Sequence, residues 1–156
     1  MTHAAQSSRI SNENIRPGFN GIWVALVTPF QEGAIDFVAL RNLARHLVDG
    51  GVAGLVVCGS TGEAAALSDD EALAVLDAVF DAVPSCPLVM GLAGNHLPDL
   101  LRQQQRILQR PVAGLLIPAP YYIRPSQAGL IGFYTALADA STAPIILYNI
   151  PYRTGV

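Results

Sequence analysis

The chain contains no lysine: all nine basic residues among its 156 are arginines. None of its side chains can therefore form an imine with a carbonyl substrate, because arginine does not give up its proton in a protein. Charge of either sign is scarce, at 13% of residues with a formal net charge of -3, so there is no extended basic surface for a nucleic-acid backbone. A small anion is still within reach, since one arginine recognises a carboxylate whatever the sign of the surface around it. Cysteine is limited to Cys58 and Cys86, without CxxC spacing, which argues for a reducing compartment and two isolated thiols. No uninterrupted apolar run reaches about eighteen residues, so no membrane-spanning helix is expected. The polar stretch 1–17 lacks the basic-then-hydrophobic order of a secretory signal, and a cytoplasmic location is the default expectation.

What the sequence does have is core material, with 51% hydrophobic residues. Its order is regular. An apolar stretch at 21–30 predicts a first strand, and Asp36 caps a helix with the stripe Phe37, Leu40, Leu43, Leu47 and Val48, closed by Gly50 and Gly51. The run from Leu55 to Cys58 predicts a strand covered on both faces. Ser68 and Glu71 have capping-box spacing ahead of a helix that buries Leu73, Leu76, Val79 and Phe80. A third strand at 87–91, a helix over 98–109, a fourth strand at 114–118, a helix capped by Ser126 and a fifth strand at 144–151 complete the pattern, with 152–156 as a loop. Strand starts recur about every 27 to 33 residues, the length of one βα unit, which requires parallel strands joined by crossovers. Such alternation fits an α/β fold, either a barrel or a doubly wound sheet. A complete barrel needs about 250 residues, so five strands and four helices make a partial (β/α)₈ barrel over 18–156, preceded by a polar extension at 1–17. The edge of its fifth strand would then be unpaired, and poor solubility, a molten monomer or self-association is expected of the chain expressed alone.

Barrels carry their chemistry in the loops after the strands, and three such loops stand out: GSTGE at 59–63, Tyr121 with Tyr122, and YNIPYR at 148–153. The Ser60 and Thr61 hydroxyls and nearby amides can hold a carboxylate or pass a proton, or they can merely satisfy the turn's own backbone. No GxxxxGK phosphate loop is present. Tyr148 falls where its ring can pack while its hydroxyl faces the mouth. A phenol ordinarily ionises near pH 10, so proton transfer near neutrality calls for a hydrogen-bonded chain, and Ser60 and Tyr122 are suitable members. Arg153 suits an anionic carboxylate, or equally a structural acid. Glu63 reads as a brace for its own turn.

Taken together, VALVTPF near the start, GSTGE at 59–63, GLAGN at 91–95, PAPYYIRPSQAG at 118–129 and YNIPYRTG at 148–155 make the chain similar to the dihydrodipicolinate synthase and N-acetylneuraminate lyase family, across residues 18–156. The resemblance implies a TIM barrel that forms a Schiff base between a lysine and pyruvate, with no further cofactor. It implies Ser60 and Thr61 at carboxylate-binding and proton-relay positions, Tyr148 beside the Schiff base, Tyr122 as a relay tyrosine reaching a neighbouring subunit, and Arg153 receiving the carboxylate of the aldehyde. YNIPYRTG favours the synthase branch, which condenses pyruvate with L-aspartate 4-semialdehyde on the diaminopimelate route to lysine, in a homo-oligomer. Ser60, a residue frequent in the lyases, and the bulk of Tyr152 keep a sugar-acid lyase or another pyruvate-dependent aldolase as the alternative. The family lysine belongs on a sixth strand beyond these residues, so an inactive product is a further reading of the chain taken alone.

Overall fold

The computed structural model describes residues 18–156; the polar stretch 1–17 lies outside the described residues. The elements in order are β1 (Trp23–Ala25), a hairpin of β2 (Phe30–Gln31) and β3 (Ala34–Ile35), α1 (Phe37–Asp49), β4 (Gly54–Val57), α2 (Asp69–Ala82), β5 (Leu88–Gly91), α3 (Leu97–Ile107), β6 (Gly114–Pro118), α4 (Gln127–Asp139), β7 (Ile145–Tyr148) and α5 (Pro151–Thr154). A 3₁₀ turn at Ala64–Ala66 stands between β4 and α2.

Helices α1, α2 and α4 begin where side chains satisfy their first amides. Asp36 Oδ1 accepts from Val38 and Ala39 at 3.0 and 2.9 Å. Ser68 and Glu71 form the full reciprocal box, and Ser126 accepts from the Gly129 amide at 3.2 Å. The expected helix over 98–109 runs instead from Leu97 to Ile107, with Pro98 in its first turn, where a missing amide hydrogen costs nothing.

Five strands form one parallel sheet in the order β1-β4-β5-β6-β7. A doubly wound sheet reverses its strand order at a switch point. Here the order follows the chain without reversal, which settles the choice left open by the βα alternation: the sheet is part of a singly wound barrel. Side chains alternate across it. Leu55, Val57, Leu88, Met90, Leu115 and Ile117 are at most 2% exposed, and they pack with Leu40, Ala44, Leu76, Val79, Leu100, Ile107 and Leu137 of the helices. Each such burial contributes about 1.5–3 kcal/mol before the entropy of ordering is set against it. On the opposite face Val56, Leu116, Pro118, Ile146 and Tyr148 are only half-buried, and this concave side carries the cavity described below. The α2–α3 seam is laced by Arg110 on Asp77, two bonds of 2.6 and 2.7 Å, and by Arg106 on Asp70 at 2.5 Å.

Three expectations about the ends of elements are corrected. The stretch 21–30 is strand only at Trp23–Ala25; after it the chain leaves the sheet and makes the hairpin, whose turn places Glu32 and Gly33 at φ 51 and 82°, the left-handed pair that tight hairpins require. The fifth strand is shorter than 144–151, ending at Tyr148. The supposed loop 152–156 contains a one-turn helix: Pro151 opens α5, and Gly155, at φ 71°, closes it.

Candidate active site

The C-terminal ends of β4, β5, β6 and β7 meet around a cavity of about 330 Å³, lined among others by Gly59, Ser60, Gly91, Leu116, Pro118, Tyr121, Tyr148, Arg153 and Thr154. That volume lies at the lower end of the range of small-molecule pockets. Its shape is set by close backbone approaches rather than by side-chain packing alone. A Cβ on Gly91 would stand 2.1 Å from the Cys58 carbonyl oxygen, so the ends of β4 and β5 can touch only because residue 91 is glycine. Cys58 itself sits at φ 52°, an uncommon conformation for a residue with a side chain, and turns the chain into the 59–63 loop.

That loop closes on itself through Gly62 N to Gly59 O at 3.0 Å and Glu63 N to Ser60 O at 3.3 Å. It is held from outside by Thr28, just past β1, whose buried hydroxyl donates to the Gly62 carbonyl at 2.7 Å. Glu63 does not brace the turn as expected: its side chain is exposed and makes no capping bond, while its backbone takes φ 55°. Thr28, thirty-four residues away in sequence, has that role.

The other rim is tied in the same way. Asn95 Oδ1, after β5, accepts from the Tyr121 amide, after β6, at 2.9 Å. After β7 the Ile150 carbonyl accepts from the Arg153 and Thr154 amides and from the Thr154 hydroxyl, at 2.9, 3.1 and 3.1 Å. The turn of α5 so formed puts Arg153 at the mouth and buries Thr154 to 2% exposure. The Arg153 guanidinium is pushed above its ordinary basicity, first by its bond to the Tyr152 hydroxyl and in smaller part by the nearby Tyr148. Burial pushes the Cys58 thiol up to about 12. It is therefore protonated near neutrality and no nucleophile, although it lines the cavity.

Of the five residues singled out from sequence, Ser60, Tyr148 and Arg153 share this cavity. Thr61 is exposed and outside the lining. Tyr122 is 91% exposed at φ 71°, on a loop with Arg124 at φ 45°, and it does not line the cavity of its own chain. Among the described residues, Ser60, Tyr122 and Tyr148 are not hydrogen-bonded to one another. Thr28, Gly91, Asn95 and Thr154 lie within the quoted motifs VALVTPF, GLAGN and YNIPYRTG, but sequence reasoning gave none of them a role. Each lies at or just beyond the C-terminal end of a strand, and that position was the available signal.

Residues 18–156 match the Dihydrodipicolinate synthetase family along their whole length. The chain belongs to that family. Among its relatives is the 4-hydroxy-tetrahydrodipicolinate synthase of Haloarcula marismortui, 46% identical over 88% of this chain and 45% of the relative. The synthase of Syntrophus aciditrophicus is 44% identical over 88% of this chain and 48% of its own. Solved family members superpose closely. Dihydrodipicolinate synthase from Aquifex aeolicus gives a TM-score of 0.85 at 36% identity, covering 88% of this chain and 47% of that one. The pyruvate complex of the Acinetobacter baumannii enzyme gives 0.84 at 33%, covering 87% and 47%. The chain thus spans about half the length of the family members it matches, and the sheet described above corresponds to the N-terminal part of their barrels. Among the described residues no helix is long and apolar enough to cross a membrane.

Proposed function

We infer that these residues form the proton-handling and carboxylate-binding wall of a 4-hydroxy-tetrahydrodipicolinate synthase, which condenses pyruvate with L-aspartate 4-semialdehyde in the cytoplasm on the way to diaminopimelate and lysine. The observation that carries this reading is the meeting of Ser60, Tyr148 and Arg153 around one small cavity, in a chain whose relatives bear that name.

The chemistry divides simply. An amine makes pyruvate's methyl group acidic by capturing its ketone as an iminium; that amine comes from a lysine outside these 156 residues, none of which is lysine. The hydroxyls of Ser60, after β4, and Tyr148, at the end of β7, line the same cavity and carry protons to and from the carbonyl oxygens. The amides of Ser60 and Thr61 hold the carboxylate of pyruvate, the Thr61 side chain itself being exposed and outside the cavity lining. Arg153 receives the carboxylate of the aldehyde, for which a planar guanidinium at a cavity rim is well suited. Tyr122 completes the relay of a neighbouring copy in a homo-oligomer, a role its exposure supports.

The test is borohydride trapping followed by product assay in the whole protein that carries this segment. Pyruvate with borohydride should add to a lysine, and L-aspartate 4-semialdehyde should then be turned over faster than sugar-acid substrates. Absence of an adduct, or preference for a sugar acid, would reject the assignment. Ser60→Ala and Tyr148→Phe should each lower kcat by about 10²-fold or more while leaving the fold intact.

A further inference from the structure

Neighbouring residues on a helix point about 100° apart and do not ordinarily touch. Tyr152 and Arg153 of α5 do: Arg153 Nε donates to the Tyr152 hydroxyl at 2.9 Å, and the guanidinium carbon lies 5.3 Å from the centre of the Tyr152 ring. Tyr152 is 80% exposed and outside the cavity lining, whereas Arg153 is at the mouth. A lone exposed arginine samples many rotamers. Here one edge of it is occupied, and among the described residues its two Nη groups donate to no one.

We propose that Tyr152 is a positioning residue that occupies the Nε edge of Arg153 and so restricts the arginine to end-on recognition, in which a substrate carboxylate is gripped by Nη1 and Nη2. A guanidinium can hold a carboxylate bidentately in two ways, through Nε with one Nη or through both Nη groups. With the hydroxyl on Nε only the second is open. The carboxylate then arrives along the long axis of the arginine side chain, which fixes how far an acceptor's aldehyde carbon can stand from its acid group and favours short acceptors of one chain length. The inference rests on Arg153 being the carboxylate receiver.

The test uses the whole protein that carries this segment, with ¹⁵N-labelled arginine, Arg153 being assigned by its loss in Arg153→Lys, and succinate as the probe. In the unsubstituted protein, succinate should shift the Arg153 Nη signals and leave Nε–Hε in place. In Tyr152→Phe, which keeps the ring and frees Nε, the Nε–Hε signal should differ already in the free protein and should move with added succinate. Tyr152→Ala should weaken succinate binding about threefold. Because residue 152 is exposed, circular dichroism of both variants should match the parent. A shift of Nε–Hε by succinate in the unsubstituted protein, or an unchanged Nε–Hε in Tyr152→Phe, would overturn the positioning role alone. No response of any Arg153 signal in any of the proteins would remove the carboxylate-receiver reading and the positioning role with it.

Discussion

Thr28→Val tests whether the 59–63 loop is held by a single buried hydroxyl. Valine matches threonine in shape, so the substitution deletes one donor and little else. Thr28 is 4% exposed, and its hydroxyl is the partner of the Gly62 carbonyl at 2.7 Å. Without it that buried carbonyl has no donor, at a cost of about 1–3 kcal/mol. In a chain of this size about 1 kcal/mol moves the melting midpoint by about 3 °C, so a fall of about 3–9 °C is expected. Thermal unfolding followed by circular dichroism at one fixed protein concentration reads the global effect. Amide exchange reads the local one: Gly62, Glu63 and Ala64 should exchange faster in Thr28→Val, while α3 and α4 should not. Thr28→Ser is the control, because it keeps the donor and loses one methyl, worth about 1 kcal/mol. If Thr28→Val melts with the parent, or Thr28→Ser loosens the loop as much as valine does, the hydroxyl does not hold the turn.

Gly91→Ala should be worse tolerated than its single methyl suggests, because the new Cβ meets a backbone oxygen at 2.1 Å with no flexible side chain to yield; a loss of about 1–3 kcal/mol by urea unfolding is expected, and wild-type stability would refute the close approach. Cys58 should resist an aromatic disulfide reagent at pH 8 in the folded chain and react once denatured, since burial lifts its thiol to about 12; rapid native-state labelling, located by peptide mapping, would contradict this. Bonds from the Ser68 amide and hydroxyl hold the Glu71 carboxyl below its ordinary pKa, so the stability it adds is present above the unfolded pKa and is lost as pH falls through the lower, folded one. Glu71→Gln, which removes the titrating carboxyl that both bonds act on, should accordingly flatten the acid limb of a stability-versus-pH curve, and an unchanged limb would show that this carboxylate contributes nothing there.

How much could be read in advance followed from the range of the interactions involved. The caps Asp36, Ser68 and Ser126 were legible because each satisfies amides two or three residues away, within one stretch of sequence. The parallel strands were legible from apolar runs that only a sheet covered on both faces can bury. The hairpin at Phe30–Gln31 and Ala34–Ile35 was missed because two-residue strands carry no period. Helix α5 was missed because four residues are too few for one, although its leading Pro151 and closing Gly155 are the usual helix punctuation. Glu63 was assigned a bracing part from its place in the motif, yet its backbone is left-handed and its side chain exposed, and the brace comes from Thr28, whose place after a strand was legible but whose partner, thirty-four residues on, was not. Tyr122 could be named but not aimed: its direction depends on the positive φ of Tyr122 and Arg124, which nothing in the residue types requires.

The contacts that shape the cavity have one property in common. Gly91 beneath the Cys58 carbonyl, Thr28 on Gly62, Asn95 on the Tyr121 amide and Thr154 on Ile150 each fix backbone to backbone or side chain to backbone, and each joins two neighbouring strand ends or closes one loop. None draws on the free edge of β7 or of β1. The wall carrying Ser60, Tyr148 and Arg153 is therefore organised by its own half of the barrel, before anything packs across the concave face. Proton transfer and carbonyl addition tolerate misplacement of well under an ångström, so a wall that had to be assembled by its substrate would forfeit much of the rate. Tyr122 belongs to the opposite case: it is 91% exposed, and among the described residues no side-chain hydrogen bond locates it. Under the proposed function, the division is between hydroxyls carried on braced strand ends and one, that of Tyr122, which a neighbouring copy would place. On that basis substitutions at Thr28 or Gly91 should impair the chemical step even in an assembled enzyme, whereas loss of Tyr122 should matter only where copies meet.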